Sequence, residues 1–529
     1  MDPHLLFSEL IKDLVCGNFV KLVKLAESNQ QEVLKRMIGV EATLEQGELN
    51  HISDSLLSFK KLLDPFLKAY ASYLTGYYNL LLGDYPNSKE NFESALELCR
   101  DVLPEGHPFL SFISYRLGRV LWLTGEYDKA QNVLNSHFHT IGSPDSIVEK
   151  ATTAGILFEL GNIALIRADL ETGYKLHLQA YQLRIQVGNP KDIASSLNNI
   201  ATCLSSLGRI QDSLKYLEKS LEIREKLGND HDISATVNNL AVAYNEVGKL
   251  DEALLMLERV LTHHRNTGHA QNVAKVLSNI SQVYIDLGLY TKAQETQTEA
   301  FVLRKEVMNR EDIAESIFIL GRICLNQNTP VCKKLMNQFP KPPYETPLIG
   351  AYKAMLEAMM HFQKENWVRS THYFSKALEV KGMEFSKRLF CLDMLSEIEV
   401  AQYRQTSNRE AVSRIYQRIG DYEQLCKTNQ LAGYYIKALM LRARFNRTLA
   451  DILITETEQI LEKASHLADE NNLQIHKKLV LAEGESFNEF KMMKSSSHAT
   501  IDDFRNYLVS INGMLGKQYL ESETDTASD

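Results

Sequence analysis

The sequence predicts an all-α protein, a right-handed α-solenoid of stacked antiparallel helix pairs. Three observations predict it. Apolar pairs recur every 40 residues, at Leu157/Leu160, Leu197/Ile200, Val237/Leu240, Leu277/Ile280 and Ile317/Leu320. Ala168, Gly208, Gly248 and Gly288 keep the same step, as do Ala180, Ser220, Val260 and Ala300. A period of that size means stacked supersecondary units that cannot bury their apolar faces alone. Proline supplies the third observation. Of 12 prolines, five fall between 330 and 347, and none lies in 191–329 or 348–529. Proline breaks an interior helical turn, so the proline-free tracts suit helices and the cluster marks a break in the array.

Bulk properties narrow the function classes. A chain of 529 residues is too long for one compact core, so it is either an extended solenoid or several domains. Its formal charge of −9, from 58 Lys plus Arg against 67 Asp plus Glu, argues against a general nucleic-acid or anionic-membrane binder. The seven cysteines are scattered and never spaced C-x-x-C, which fits reduced thiols better than a disulfide framework. Residues 1–13 carry Asp2 and Glu9 and lack a basic n-region, and no apolar run approaches membrane-spanning length. The expectation is a soluble cytoplasmic protein.

In chain order, 1–65 reads as a helical cap or degenerate repeat, with apolar spacing at 5–14, 20–25, 33–38 and 54–63. The array occupies 66–330. Each unit has an amphipathic helix, a tight turn at a small residue, and a returning helix with Ala or Ser where the two approach. Gly83-Asp84-Tyr85 and Gly125-Glu126-Tyr127 are the first two turns. Residues 331–348 form a Pro-rich linker. Residues 349–493 resume as degenerate helical repeats, with pairs at 352–362/367–380, 389–403/411–425 and 432–445/453–467, then a single closing helix at 473–487. Residues 494–529 comprise a linker, a short helix at 501–515 capped by Thr500, and an acidic disordered tail.

These residues resemble the tetratricopeptide repeat family. Val237, Leu240, Ala241, Tyr244, Gly248, Ala253, Leu257 and Val260 match most of its pattern, and Leu277, Ile280, Ser281, Tyr284, Gly288, Ala293 and Ala300 match it again. Leu117-Gly118 and Leu160-Gly161 supply the Leu-Gly step in earlier units. The closing proline is missing at Glu225, Arg265 and Lys305, and the period exceeds the usual 34 residues. The second helix is therefore expected to be longer, ending near Gly188, Gly228 and Gly268. This is similar to the long-helix variety in kinesin light chains and tetratricopeptide sensors, as are Gly106-His107-Pro108 and the Asn198-Asn199 and Asn238-Asn239 pairs.

The resemblance implies that the first helix of each unit lines a concave groove. The groove-facing set is then Tyr115, Arg119, Trp122, Phe158, Asn162, Asn198, Thr202, Asn238, Asn245, Glu246, Ser278, Gln282, Asp286, Phe318 and Arg322. Asn and Gln offer a donor and an acceptor to an extended peptide, aromatic rings give apolar pockets, and Arg forks a carboxylate. The competing reading is packing: Asn198 and Asn238 tie the helices together, and Trp122 fills space between units.

Reaction chemistry finds no usable motif. H-E-x-x-H, C-x-x-C and G-x-x-x-x-G-K-[ST] are absent. Residues 513–517 only superficially resemble a phosphate loop, with the wrong spacing and no Ser or Thr after Lys517. His263 and His264, being adjacent on a helix, diverge by about a hundred degrees. His137 and His139 flank Phe138, and Glu218, Glu222 and Glu225 alternate with Lys215, Lys219 and Lys226 as a solvated face. The expectation is a non-catalytic interaction scaffold for a protein or peptide partner, without cofactor, metal, nucleic acid or membrane. The alternative is a peptide-responsive regulator that changes superhelix shape, hinged at 330–347.

Overall fold

The computed structural model describes residues 32–495, except 47–48, 50–51, 60–61, 63, 101, 104–106, 142–143, 269, 308–309, 332, 341–345, 382, 407–409, 449–453 and 472. The expected helices at 5–14, 20–25 and 501–515, the loop at 513–517 and the acidic tail lie outside the described residues. Among the described residues every regular element is a helix. They fall into two compact units, one up to Cys203 with Lys219–Asn229, the other Leu204–Glu218 with the chain from Asp230 onward.

In the first unit, α1 (Glu32–Gln46) and α2 (Ile52–Phe59) pack on α3 (Pro65–Leu82). Three antiparallel pairs follow: α3 with α4 (Tyr85–Arg100), α5 (Pro108–Leu123) with α6 (Tyr127–Ile141), and α7 (Ile147–Ile166) with α8 (Leu170–Val187). Local chemistry sets the helix starts. Asp64 accepts the Leu67 N–H at 2.9 Å ahead of Pro65 at the first helical position, and Ser146 and Glu149 form a reciprocal cap on α7. Aromatic residues dominate this core. Tyr73 packs on Phe109 with ring centroids 5.4 Å apart and on Phe112 at 5.7 Å.

Helices α9 (Pro190–Ser206) and α10 (Ile210–Leu227) are divided between the units. The second unit continues with α11 (Asp230–Val247) against α12 (Leu250–Thr267) and α13 (Ala270–Asp286) against α14 (Tyr290–Val307). The expected long second helices are present: α8, α10 and α12 run to the residue before Gly188, Gly228 and Gly268. Arg184 and Arg304, three periods apart, reuse one strut. Each guanidinium ends a second helix and donates to the next helix, Arg184 to Asp192 O and Ser196 Oγ (3.0 and 2.9 Å), Arg304 to Asp312 O and Ser316 Oγ (both 2.8 Å).

The inter-helix turns need a left-handed residue. At Gly248, φ is +89°, and its N–H closes the turn on Asn245 O at 3.1 Å. Ala168, Asn328, Glu365 and Gln430 hold positive φ without glycine, at 61°, 52°, 56° and 55°. Asn328 lies 40 residues after Gly288, so the turn period outlasts the apolar pattern. The return helix beyond Asn328 is stunted. The partner of α15 (Arg310–Asn326) is the single turn α16 (Lys333–Met336), because Pro330 and Pro340 leave no room for a full helix. As a result α15 packs directly on α17 (Pro347–Gln363), and the second compact unit runs through the Pro-rich stretch.

After α17 come α18 (Trp367–Leu378), α19 (Phe385–Thr406), α20 (Glu410–Thr428), α21 (Ala432–Thr448), α22 (Ile454–Glu470) and α23 (Gln474–Ser495). Successive helices pack on one another, and α23 reaches into the expected linker at 494–499. Helices far apart in the chain also meet: α21 packs on α11.

Candidate partner-binding surface

The polar residues of the first helices are joined one period apart. In the first unit, Trp122 Nε1 and Asn162 Nδ2 both donate to Glu159 Oε2, at 2.8 and 2.9 Å. Asn199 Nδ2 donates to Asn162 Oδ1 at 2.9 Å. This chain of bonds links α5, α7 and α9. Glu159 is buried at 3% exposure and was not among the sequence candidates. Its separation of 37 residues from Trp122, equal to that of Asn162 from Asn199, is the signal that could have found it.

Other members of the first-unit set divide by exposure. Tyr115 is half-buried, edge-on to Phe112 with centroids 5.0 Å apart. Phe158 sits between His177 and Arg184, at 5.1 Å and 4.2 Å from its ring, so it serves helix packing. Burial lowers the imidazole pKa of His177 to about 3, with help from Arg184, and leaves it neutral. Arg119 and Thr202 are exposed and Asn198 is half-exposed; the Thr202 hydroxyl donates to Asn198 O at 3.0 Å.

In the second unit the same row is largely engaged. Asn238 is 4% exposed and accepts from Asn279 Nδ2 at 2.9 Å. Ser278 is buried and donates to Gln297 of α14 at 3.2 Å, which places it inside the helix pair. Ser205 donates to Glu246 at 3.1 Å, Asn245 to Asp286 at 3.4 Å, and Arg322 to Gln282 at 2.6 Å. Phe318 is fully buried, and the Arg322 guanidinium stacks over Phe390 of α19 at 4.9 Å.

The C-terminal helices supply the remaining partners of this row. Lys437 of α21 pairs with Asp286 at 3.2 Å. Burial pushes the Asp286 carboxyl up, but Lys437 and Arg322 outweigh it and hold the group below its ordinary value. Glu246 has no such cation in contact, and burial pushes it up to about 8. His476 of α23 is pulled down to about 3 by burial and Lys437. Nearby, Lys387 of α19 bridges Glu384 and Glu315, at 2.8 and 3.1 Å, and Arg304 meets Glu315 at 3.1 Å. These cations overcome burial and hold Glu315 well below the carboxylate range.

A separate surface groove of about 610 Å³ lies beside the α17–α18 turn. Glu365, Gln405 and Trp367 line it in one chain of hydrogen bonds, Trp367 to Gln405 at 2.8 Å and Gln405 to Glu365 at 3.0 Å. His264 is buried edge-on to His263, and His137 is half-buried beside Ser111, 3.4 Å away. Among the described residues there is no cluster of three or more metal-ligating side chains, and no helix is long and apolar enough to cross a membrane.

Residues 71–138, 152–226, 192–266 and 232–306 match the tetratricopeptide repeat family model. This array belongs to the tetratricopeptide-repeat family. Its 40-residue step and long second helices make it the long-helix variety. No curated protein matches by sequence. Solved structures are similar at low identity. One is NprR in complex with its cognate peptide NprX, 15% identical over 74% of this chain and 98% of that one, with a TM-score of 0.47. Another is a Rap protein complexed with competence and sporulation factor, 15% identical over 63% and 98%, TM-score 0.45. A third is the set of kinesin light chain repeats from Podosopora anserina, 17% identical over 38% and 99%, TM-score 0.32.

Proposed function

We propose that this tetratricopeptide-repeat protein is a non-catalytic interaction scaffold that binds a peptide or partner helix along the first helices of its first unit. One observation carries this reading. Arg119 and Thr202 are exposed and Asn198 half-exposed on a row that also carries the bonded set Trp122, Glu159, Asn162 and Asn199. Trp122, Glu159, Asn162 and Asn199 hold the helices in register. Arg119 offers a guanidinium for a carboxylate and Asn198 an amide for peptide backbone. A rigid row of this kind loses little entropy when a partner docks.

The test replaces Arg119 and Asn198 by Ala in the full chain. Wild-type and variant proteins are used as baits in a cell extract, with retained proteins quantified by mass spectrometry. The reading expects a specific subset to be lost at unchanged helical circular dichroism. An unchanged set of retained proteins rejects it. The regulatory alternative is favoured by the ion pair between Asp286 and Lys437, which joins α21 to a first helix of the second unit 151 positions earlier.

A further inference from the structure

The groove beside the α17–α18 turn lies within the second compact unit and shares no residue with the first-helix row. Its walls are that turn with the start of α18 (364–368), the end of α19 (399–406) and the start of α20 (411–414). Its volume of about 610 Å³ is that of a small-ligand site. The rim is set before anything binds. Glu365 turns the chain at φ of 56°, Trp367 sits edge-on to Phe362 with centroids 5.4 Å apart, and its indole N–H reaches Gln405 at 2.8 Å. Val368 stands beside it on the lip, apolar and 77% exposed.

Glu399 lines this groove and is 8% exposed. Its Oε1 faces Arg418 at 3.3 Å and Arg414 at 3.5 Å, and its Oε2 is buried with no hydrogen-bond partner. Countercharge is present and a directed donor is missing. Unpartnered buried atoms also occur at Tyr73, His177 and Gln297, but those are neutral groups inside the helix packing. Among the described residues Glu399 is the one carboxylate in this condition, and it lines open space. A carboxylate acceptor left without a donor costs more than a neutral one. The terminal torsion of a glutamate is soft, so an oxygen can turn toward the opening.

The charges around Glu399 select the ligand. Lys364, Arg414 and Arg418 stand against Glu365 and Glu399, so a further cation meets a surplus of its own sign. An anion meets the buried carboxylate. The fitting group is uncharged, donates to Glu399 and accepts from Lys364, Arg414 or Gln402, while an apolar side chain covers Trp367 and Val368. Peptide backbone bearing an apolar residue has this chemistry. We propose that the groove is a second binding site, for a short uncharged peptide segment whose backbone N–H donates to Glu399 and whose apolar side chain packs on Trp367 and Val368. The site is independent of the first-helix row, and either stands without the other.

The sequence holds two tryptophans, Trp122 in the first-helix row and Trp367 in the groove, so full-length protein carrying fluorotryptophan reports both sites by fluorine NMR. Trp367→Phe assigns the signals. The probe is the capped tripeptide acetyl-Ala-Leu-Ala-amide. Two comparison peptides carry Arg or Glu at the centre, and an ester analogue keeps the shape but replaces the internal N–H groups by oxygen. The uncharged peptide is expected to shift the Trp367 signal saturably and leave Trp122 still. Its affinity is expected to fall about tenfold for the ester analogue and in Glu399→Met. Val368→Ser, on an exposed side chain that the fold does not need, is also expected to weaken binding; with the ester analogue it carries the test should Glu399→Met lose helical circular dichroism. No saturable shift at Trp367, tighter binding of the Arg or Glu peptide, or equal binding of amide and ester forms overturns the proposal and leaves Glu399 to water alone. A shift confined to Trp122 rejects the groove and supports the first-helix row.

Discussion

Replacing Asn238 by Ala separates a structural from a recognition role for the polar row. Asn238 is 4% exposed and its Oδ1 accepts from Asn279 one period away at 2.9 Å. Losing a neutral hydrogen bond costs about 0.5–1.5 kcal/mol net. Alanine returns up to about 0.7 kcal/mol in helix propensity. Asn279 is half-exposed, so water can solvate its freed amide. The single substitution should therefore destabilise by about 1 kcal/mol or less, and the informative quantity is the coupling with Asn279→Ala. A cycle of wild type, both singles and the double should give about 0.5–1.5 kcal/mol of favourable coupling. Urea unfolding by circular dichroism, with hydrogen exchange on α11 and α13, suits an array whose cooperativity is local. Thr202→Ala, on an exposed residue, should stay within about 0.5 kcal/mol of wild type. Coupling below about 0.3 kcal/mol would refute the strut assignment.

Three further outcomes are expected. Ala168→Gly should stabilise the chain by about 1 kcal/mol, since Ala168 holds φ of 61° where glycine is unstrained; a thermal shift measurement reads this. Gly208→Ala should cost more than Gly228→Ala: both sit at positive φ, but only at 208 would the Cβ also meet a ring, Phe385 at 2.7 Å, and adding Phe385→Ala should narrow the gap in urea midpoints. Glu246→Gln tests the buried carboxyl that accepts from Ser205. Its folded pKa of about 8 lies above the ordinary 4.5, so its contribution to stability is complete below the unfolded value and is lost as pH rises through about 8. The variant should match wild type near about pH 5 and exceed it in stability above about pH 8, and a parallel pH profile for the two proteins would count against this assignment.

The repeat was legible because its signal is redundant. Leu277 and Ile280, Gly288 and Ala300 each report the same 40-residue step, so a loss at one site leaves the others. The turn glycines located helix ends to within a residue at Gly188, Gly228 and Gly268. Periodicity weakened after 330 because the left-handed turn passed to Asn328, Glu365 and Gln430, whose identities do not announce it. The groove phasing was less readable. Ser278 and Phe318 share a helix with the inner row but point into the pair or toward the next helices, and period alone does not resolve a hundred-degree step on a helix. Nothing local to Asp286 shows that Lys437 will cover it. Contacts between non-neighbouring repeats are set by how small rotations accumulate along the stack, which no short stretch encodes.

The contact of α21 with the first helices of the second unit is most directly measured at its ion pair. A double-mutant cycle of Asp286→Asn and Lys437→Met in the full chain, read as the opening free energy of α13 by hydrogen exchange, isolates that contact. The structure predicts favourable coupling of about 1 kcal/mol or more that weakens as salt is raised. Strictly additive effects, with no coupling at any salt concentration, would contradict it.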